Sequence, residues 1–599
     1  MTGRTVSYAD PTAGNVANPY WSTYMNTTND RKTRFIGLAS LKYEFAEWLN
    51  IQGRYGIDYT NSQLKDIQAT GAPTWYLEKG GNISTSKNDS YEMNADVLLT
   101  FNKQLTDKLG LVATAGGNIM YNRSDGIWSS ANGLKIEHFY SLSNGLRPLA
   151  SNTLYRKQIN SVYGTASFAW DNMLYLDMSA RNDWSSSLNS DNRSYFYPSI
   201  GASWLVTETL HKANINTGPI NYGKIRLSWA QVGNDTSPYR LYNYRNIQVA
   251  EDGTLLGNKD QVEAFYNLKN ETVNSWEVGL EMRAFDNRLG LDFAFYNKET
   301  KDQILRMNTP PEIAGYSYKF VNAGNVRNRG VEVLLTGTPV ATKDFTWDVA
   351  LNWSKNSNKI LELGEGITTQ ILSDASYQGQ IIVVAEEGGS FGDMKGRKYM
   401  RDDNGNLILD EDGLPTFNSN FEKVGNYNPD WMGGLTNTLR YKDFTLSFQI
   451  DMRYGGDVYM GSYRSGASAG TLDFTEANRA DGSLEVHGVN QDGNAVVGKT
   501  NAQRYWGRLA TGTEPWIYDA TNIRLRELSI GYSIPRKVLA KTPIKGAKIS
   551  FVGRNLWMIY SKTDGFDPEA GFSTGNAQGI ETGSMPTLRS LGFNVNLTF

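Results

Sequence analysis

One short stretch of this 599-residue chain has the residue types of a phosphate-binding loop. Gly493–Thr500, "GNAVVGKT", matches the pattern G-x-x-x-x-G-K-[ST]. In such a loop, glycine amides surround the phosphates, the lysine reaches the outer phosphates and the hydroxyl binds magnesium. The pattern requires a buried strand before the loop and a helix after it. The preceding "EVHGVNQD" is polar, and the following "NAQRYWGR" is too short and aromatic for a packing helix, so we predict a glycine-rich surface turn.

A second stretch has the acidic spacing of a calcium loop. Asp402–Gly413, "DDNGNLILDEDG", carries Leu407 where the loop needs glycine, and no acidic residue falls at the twelfth position. We therefore predict a hairpin that turns on Asn404–Gly405. Calcium binding by this loop remains an alternative, and we expect no other metal or cofactor.

Other chemistry is excluded by the residues that the chain lacks. It has no cysteine, so it forms neither disulfides nor thiolate metal sites. Its three histidines, His138, His211 and His487, are far apart in the sequence and form no metal or catalytic motif, so we expect no enzyme activity. The net charge of -3 makes nucleic acid an improbable partner, and we expect none.

The elements that would position any site are β-strands. Aromatic residues make up 12% of the chain and glycine occurs 59 times, which favours an all-β chain with many turns. No stretch approaches the roughly 18 apolar residues of a membrane-spanning helix. The first residues, "MTGRTVSYADPTAGN", have no basic start and no apolar core, so the chain is either cytosolic or lacks its true start.

Apolar and polar residues alternate over unusually long runs. In "FTWDVALNWS", Phe345–Ser354, the aromatic residues Trp347 and Trp353 share one face, and Trp276 lies on the apolar face of a similar run. Strands of soluble sandwiches are usually about five or six residues long. Runs of about ten residues that are apolar on one face and charged on the other suit a tilted membrane strand around a wet interior. The three tryptophans are then predicted to face lipid.

About seventeen such segments run from Lys32 to Phe599, and the links between them alternate between short and long. The short links include Ala46–Trp48, Asp171–Asn172, Asp286–Asn287, Thr342–Asp344 and Tyr441–Asp443. The long links are Asn61–Asp89, Asn122–Lys157, Asn234–Thr272, Lys355–Trp431, Gly455–Ala520 and Ser561–Arg589. Tight turns at one end and long loops at the other are typical of a transmembrane antiparallel β-barrel, with the long loops outside the cell.

Two strands need separate comment. In "NIRLRELSIGYSIP" the apolar residues change face, and a bulge near Arg526–Glu527 would restore the alternation. The final strand, "LGFNVNLTF", ends on an aromatic residue and looks like the signal read by the outer-membrane assembly machinery. Its apolar face consists of Leu591, Phe593, Val595, Leu597 and Phe599.

Several segments together carry a resemblance to one known family. They run in family order from about Asn18 to the C-terminus. They are "YLDMSARNDWSSSL" followed by "YFYPSIGASWLVTETL", "KIRLSWAQVGNDT", "LKNETVNSWEVGLEMR", "NAGNVRNRGVEVLL", "GNYNPDWMGGLTNTLRYKDFTLSFQIDMRYGGDVY", "ATNIRLRELSIGYSIP" and "GRNLWMIYSKTDGFDPEAG".

These segments resemble the SusC/RagA-type TonB-dependent outer-membrane transporters. The resemblance implies a barrel of 22 strands filled by a plug domain, of which this chain would carry about 17 strands. It also implies a TonB-contacting segment, a SusD-like surface lipoprotein over the extracellular mouth, and import of oligosaccharides or oligopeptides. A dimer of transporter–lipoprotein pairs is compatible with it. Signal peptide, TonB box and plug are not found in this sequence. We therefore expect residues 1–31 to be an extracellular loop segment and residues 32–599 the C-terminal portion of the barrel, in the cell outer membrane.

The substrate-contact candidates are aromatic residues of the long loops, because sugars stack on aromatic faces. They are Trp75, Tyr76, Trp128, Tyr239, Trp506 and Trp516. Packing between loops, or an aromatic belt at the membrane interface, is the alternative role for each. For the whole protein, the alternatives to energised import are a passive porin and a surface-binding barrel.

Overall fold

The computed structural model describes residues 18–71, 81–249, 254–309, 315–364, 366–377, 379–476, 480–571 and 575–599. Seventeen strands form one large antiparallel sheet, which confirms the all-β prediction and the strand count. They are β1 Thr27–Ala46, β2 Leu49–Gln68, β3 Asn82–Thr106, β4 Leu109–Leu134, β5 Gly145–Trp170, β6 Leu174–Ser185, β7 Ser194–Leu205, β8 Ile220–Asn234, β9 Glu271–Ala284, β10 Leu289–Lys301, β11 Asn325–Ala341, β12 Phe345–Glu362, β13 Trp431–Tyr441, β14 Phe444–Tyr454, β15 Asn522–Ile534, β16 Gly546–Ser561 and β17 Ser590–Thr598.

Each strand of the sheet pairs with the next one along the chain, so the topology is a simple meander. Among the described residues, β1 pairs only with β2 and β17 pairs only with β16. Both strands are exposed on both faces over almost their whole length.

The first five strands are much longer than the predicted ten or so residues. They contain 20 to 26 residues each. Most of the predicted loops Asn61–Asp89 and Asn122–Lys157 is therefore strand, which corrects the sequence prediction. The reason is that these segments continue to pair through backbone hydrogen bonds where polar side chains on both faces remove the alternation.

The connections confirm the predicted alternation of short and long links. At one end are tight turns, such as that at Asp171 and Asn172, whose φ values of 50° and 54° suit a two-residue hairpin. Two connections at this end contain a short helix, α2 Val206–Lys212 and α5 Arg536–Leu539. The longest connections, after β8, β12 and β14, all lie at the opposite end, which we call the long-loop end.

One face of the sheet forms a continuous apolar belt. Trp276 lies opposite Trp229 on β8, and Trp353 lies opposite Val333 on β11, with the residues of each pair on the same face. The large exposed hydrophobic side chains of successive strands fall on this face, including Leu41, Val97 and Ile200. The outward orientation predicted for Trp276, Trp347 and Trp353 is therefore confirmed.

The predicted bulge is present in β15. The pairing of β14 with β15 shifts between Leu525 and Glu527, so that Leu525 faces Ile450 and Leu528 faces Phe448. The extra residue, Arg526, keeps Leu528 on the apolar belt.

The N-terminal boundary differs from the expectation. The first strand begins at Thr27 rather than at Lys32, because the polar residues Thr27–Arg31 also pair with β2. Helix α1, Pro19–Met25, precedes it at the long-loop end, where Trp21 packs against Ala69. The rest of the predicted loop segment, residues 1–17, lies outside the described residues.

Three long connections fold into one compact unit above the sheet. We call residues 363–430, 455–521 and 562–589 the loop dome, because its described residues share one hydrophobic core. It contains helices α3 Gly461–Ala469 and α4 Ala502–Leu509. Its strands are Thr369–Tyr377, Ile381–Glu386, Asp393–Gly396, Glu422–Asn426, Asp457–Met460, Ser483–Val489, Ala495–Asn501, Ile517–Asp519 and Ile580–Glu581.

A smaller group of loops packs near β7. The described residues of 186–193, 235–270 and 302–324 meet at a core of Leu188, Tyr195 and Leu268. Their strands are Arg245–Val249, Leu255–Lys259, Val262–Glu263, Ile304–Asn308 and Tyr318–Asn322.

Short 3-10 turns occur at Leu142–Asn144, Asp473–Thr475 and Glu514–Trp516. No helix in the described part of the chain has the length and apolarity needed to span a membrane.

Candidate functional site: the inner wall and the loops above it

The face of the sheet opposite the apolar belt is a polar inner wall. It carries many charged, hydroxyl and amide side chains together with some apolar ones such as Met120, and many of the charges are paired across strands. Arg54 Nε lies 2.8 Å from an oxygen of Asp96. Arg226 on β8 lies between Glu277 and Asp292, at 3.3 and 2.9 Å. Such a wall is wettable and has little net charge, so it suits a hydrated, polar cargo.

The upper part of the wall is fastened by a buried aspartate. Asp235 follows β8 and its carboxylate accepts hydrogen bonds from the hydroxyls of Ser185 and Ser187 and from the ammonium of Lys157. Its side chain is 6% exposed. The segments "NDWSSS" and "GNDT", which carried part of the resemblance, therefore join three strands at one point.

A second buried ion pair holds the loop dome to β15. Arg524 pairs with Asp567, and the two side chains are 5% and 8% exposed. Burial alone would raise the pKa of Asp567, but hydrogen bonds from Arg524 and Thr587 outweigh it and hold that pKa well below its usual range. Two residues further on, Arg526 binds Glu569 at 3.0 Å. The segments "NIRLRELS" and "GFDPEAG" are thus partners in space.

The third dome segment is also tied to the second one by a buried carboxylate. Glu581 is 1% exposed and accepts hydrogen bonds from the backbone N–H and hydroxyl of Ser462, at 3.0 and 2.6 Å. Ser462 lies in the first turn of α3, where unpaired N–H groups favour a negative charge. The dome segments are therefore joined by charge as well as by their shared core.

Aromatic side chains are exposed on the smaller loop group. Tyr242 and Tyr266 pack with ring centroids 5.6 Å apart and remain exposed. Tyr239 is exposed and has a φ of 68°, which is uncommon for a residue other than glycine. This group gives the long-loop end a set of open aromatic faces.

The four predicted substrate-contact residues that the structure describes do not form one site, although Trp506 and Trp516 share the core of the loop dome. Trp128 lies on the inner face of β4, high above the tight turns, and is 43% exposed. Tyr239 lies on the smaller loop group. Trp506 packs against Phe474 in the loop dome with ring centroids 5.2 Å apart. Trp75 and Tyr76 lie outside the described residues.

Trp516 packs between the loops and does not expose its ring to a ligand. It is 2% exposed, and its indole N–H donates to the carbonyl of Leu509 at 3.0 Å. Sequence reasoning could not separate Trp516 from Trp128, because a loop aromatic carries no local sign of whether its loop packs. It also missed Tyr242 and Tyr266, for which the only signal was their aromatic character within a long loop.

The apparent phosphate loop is part of a hairpin. Ala495–Asn501 is a strand paired with Ser483–Val489, and only Gly493 lies in the turn. Lys499 is exposed, and the Thr500 hydroxyl donates to the carbonyl of Asp412. The predicted surface turn is thus mostly strand, because "AVVGKTN" alternates on a hairpin. The following residues do form a short helix, α4, capped by the side chain of Asn501, which corrects the prediction that none would form.

The predicted hairpin at Asn404–Gly405 is confirmed. Gly405 N–H donates to the carbonyl of Asp402, and the Asp402 carboxylate accepts from the N–H groups of Asn404 and Asn406 at 3.0 and 2.8 Å. The carboxylate is therefore occupied by its own turn. Within the described ranges no group of three or more histidine or acidic residues is arranged to hold a metal ion.

The chain matches a known protein family over most of its length. Residues 2–514 match the family described as TonB dependent receptor-like, beta-barrel. This chain belongs to that family. The predicted resemblance, the barrel fold and the outer-membrane location are thereby confirmed.

This TonB-dependent receptor barrel is also similar in sequence to proteins that are named TonB-dependent receptors. It is 27% identical over 596 residues to TonB-dependent receptor P3 of Formosa agariphila, covering 93% of this chain and 57% of that protein. It is 25% identical over 626 residues to TonB-dependent receptor SusC of Bacteroides thetaiotaomicron, covering 97% of this chain and 59% of that protein. The chain thus spans about three fifths of these relatives.

A solved structure described as the RagAB peptide transporter has the same fold. It superimposes with a TM-score of 0.80 at 20% identity, covering 98% of this chain and 64% of that one. A likeness at this identity concerns the fold, including the meander and the loops above it.

Proposed function

We propose that this chain is the barrel portion of an energised importer that takes an oligosaccharide or oligopeptide across the outer membrane. The observation that carries the proposal is the polar, charge-paired inner wall, which leads up to the exposed aromatic side chains of Trp128 and Tyr239. Such a wall lets a hydrated oligomer pass, while aromatic faces give it a place to bind. Membership of the TonB-dependent receptor family supports coupling to an inner-membrane energy source.

Partners belong to the same proposal. A SusD-like lipoprotein would close over the long-loop end, where the loop dome offers it a folded surface rather than separate strands of loop. Contact with the TonB complex would come from a part of the protein outside these residues. The RagAB structure, described as a peptide transporter, supports the peptide alternative to glycan. We further propose that the protein acts without a cofactor and has no enzyme activity.

The proposal is tested first on the native protein. Affinity capture from outer membranes in mild detergent, read by mass spectrometry, reports the length of the chain, its partners and any bound ligand. A lipoprotein partner with a bound oligomer supports the importer. Uptake of the identified oligomer that persists after an uncoupler would instead indicate a porin, and binding without uptake would indicate a surface-binding barrel.

Trp128 allows a matched test of ligand contact. Trp128 and Ile127 are neighbours on β4, are both exposed, and lie on opposite faces of the sheet. We expect Trp128→Ala to raise the half-saturating ligand concentration about fivefold, since losing an aromatic contact costs roughly 1 kcal/mol. Ile127→Ala should leave uptake unchanged. Equal effects of the two substitutions would remove Trp128 from the ligand path.

A further inference from the structure

The apolar belt contains a depression across β1 to β6. Its volume is about 780 Å³, and it lies on the outward, lipid-facing side of the sheet. Small residues form its floor where neighbouring strands carry larger ones. The floor consists of Ala39, Gly53, Ala95 and Gly117, and Val97 stands between the two glycines. The walls are Leu41, Tyr55, Ile119, Val162 and Trp184. We call this depression the belt groove.

The floor of the belt groove is not required by packing within the protein. A methyl group added at Gly53 would meet no atom within 4 Å. One added at Gly117 would contact only the carbonyl oxygen of Ser161, at an ordinary 3.5 Å. The two glycines therefore leave open space on the lipid side, and larger side chains would fill that space without strain in the backbone.

The outward-facing side chains above the belt groove become progressively more polar towards the long-loop end. Ile119 on β4 lies opposite Asn160 on β5 at its upper edge. The next outward pair on these strands is Tyr121 with Gln158, and the one above that is Arg123 with Arg156. Four residues separate Ile119 from Arg123, which is about 13 Å along a strand. Apolar, weakly polar and cationic positions thus follow one another towards the long-loop end.

The two arginines form an unusual pair. Like charges directly opposite each other on neighbouring strands are destabilising unless a counter-charge lies between them. Arg123 pairs with Asp125 on its own strand. Arg156 is exposed and has no ion pair among the described residues. The next acidic group, Asp89, faces Asp125 and already accepts hydrogen bonds from Tyr59 and Asn61.

We propose that the belt groove and the arginine pair form a binding site for a phosphate-bearing anionic membrane lipid. An acyl chain would lie in the groove, its polar linkage beside Tyr121 and Gln158, and its phosphate between Arg123 and Arg156. The occupant is a lipid because the groove faces the bilayer and the arginine pair lies in line with the groove. The distance between the groove and the arginines suits the distance between a lipid's acyl chain and its headgroup. This site is separate from the proposed import function.

The test is native mass spectrometry of the detergent-purified full chain with two probes that share the same chains. Dioleoylphosphatidate carries a phosphate and dioleoylglycerol does not. We expect phosphatidate to bind more tightly, and Arg123→Gln with Arg156→Gln to weaken its binding about tenfold to thirtyfold, to the level of dioleoylglycerol. Gly53→Leu with Gly117→Leu should weaken binding of both probes. Heat-dependent gel migration confirms that each variant is folded.

Arg440→Gln is the matched control, because Arg440 pairs with Asp348 on the polar inner wall rather than on the belt. It should bind both probes as the unaltered chain does. Equal binding of the two probes by the unaltered chain would overturn the proposal. So would phosphatidate binding that survives the leucine substitutions, since it would then rest on the phosphate alone; Gly53→Ala with Gly117→Ala repeats this arm if the leucine variant does not fold.

Discussion

At the scale of single residues, burial separates charges that hold the protein together from charges that only coat it. Arg524 and Asp567 are almost completely buried. Arg504 and Asp412, also in the loop dome, form a pair of similar type at 2.6 Å with more than half of each side chain exposed. Removing one partner of a buried pair leaves an uncompensated charge, whereas an exposed partner is replaced by water.

Asp567→Asn should therefore loosen the third dome segment. We expect it to cost about 3 kcal/mol of local stability, because Arg524 stays buried and keeps only the longer contact with Glu569, at 3.6 Å. Hydrogen–deuterium exchange around Thr587 and Glu569 measures this. Asp412→Asn is the control and should cost no more than about 1 kcal/mol. The same loss of protection in both variants would contradict the role assigned to the buried pair.

The pH dependence of this segment follows from the same pair. Because the folded-state pKa of Asp567 is depressed, its contribution is fully present above about pH 3.9, the ordinary value for aspartate. It is lost as the pH falls further, through the folded-state pKa. Protection around Thr587 should thus be constant from neutral pH to about pH 4. A loss between pH 7 and pH 5 would show that another group controls the segment.

At the scale of the elements, the bulge in β15 decides which side chains meet lipid. Deleting Arg526 should turn Leu528, Ile530 and Tyr532 from the belt to the inner wall, since a one-residue shift reverses the faces of a strand. We expect the deletion variant to fail to form a folded barrel, which heat-dependent gel migration detects. Arg526→Ala keeps the bulge and loses the ion pairs with Asp451 and Glu569 and the hydrogen bond to Asn555. It should fold, and a folded deletion variant would show that the register is set elsewhere.

The elements also show what the sequence could and could not predict. Alternation predicted the strands and their lipid faces wherever one face is apolar and the other is wet. It could not predict the upper parts of β3 and β4, where Asp89 and Ser124 are polar neighbours on opposite faces and no alternation remains. The sequence also could not distinguish buried from exposed aromatic residues of the loops, because the burial of Trp516 depends on segments far away in the sequence.

At the scale of the whole molecule, we propose that assembly into the membrane depends on the last strand. All described residues of β17 are exposed, so its apolar face is available to the assembly machinery. We expect Phe599→Ala together with Leu597→Ala to lower the amount of protein in purified outer membranes several-fold. Thr598→Ala, on the other face, should leave that amount unchanged. Equal recovery of both variants would show that β17 carries no assembly signal.

The great length of β2 to β5 has a consequence for how the cell presents this protein. β4 has 26 residues and so is about 85 Å long, which is about 65 Å along the barrel axis at the usual tilt of about 40°, whereas the lipid-facing band of such barrels is only about 25 Å tall. On this side the protein extends well above the bilayer as a stiff, pleated β-sheet. Molecules that arrive from the surroundings, including antibodies and bacteriophages, therefore meet a regular β-surface first. A foreign epitope inserted beyond Leu134 would be displayed far from the lipid headgroups, where large probes can reach it.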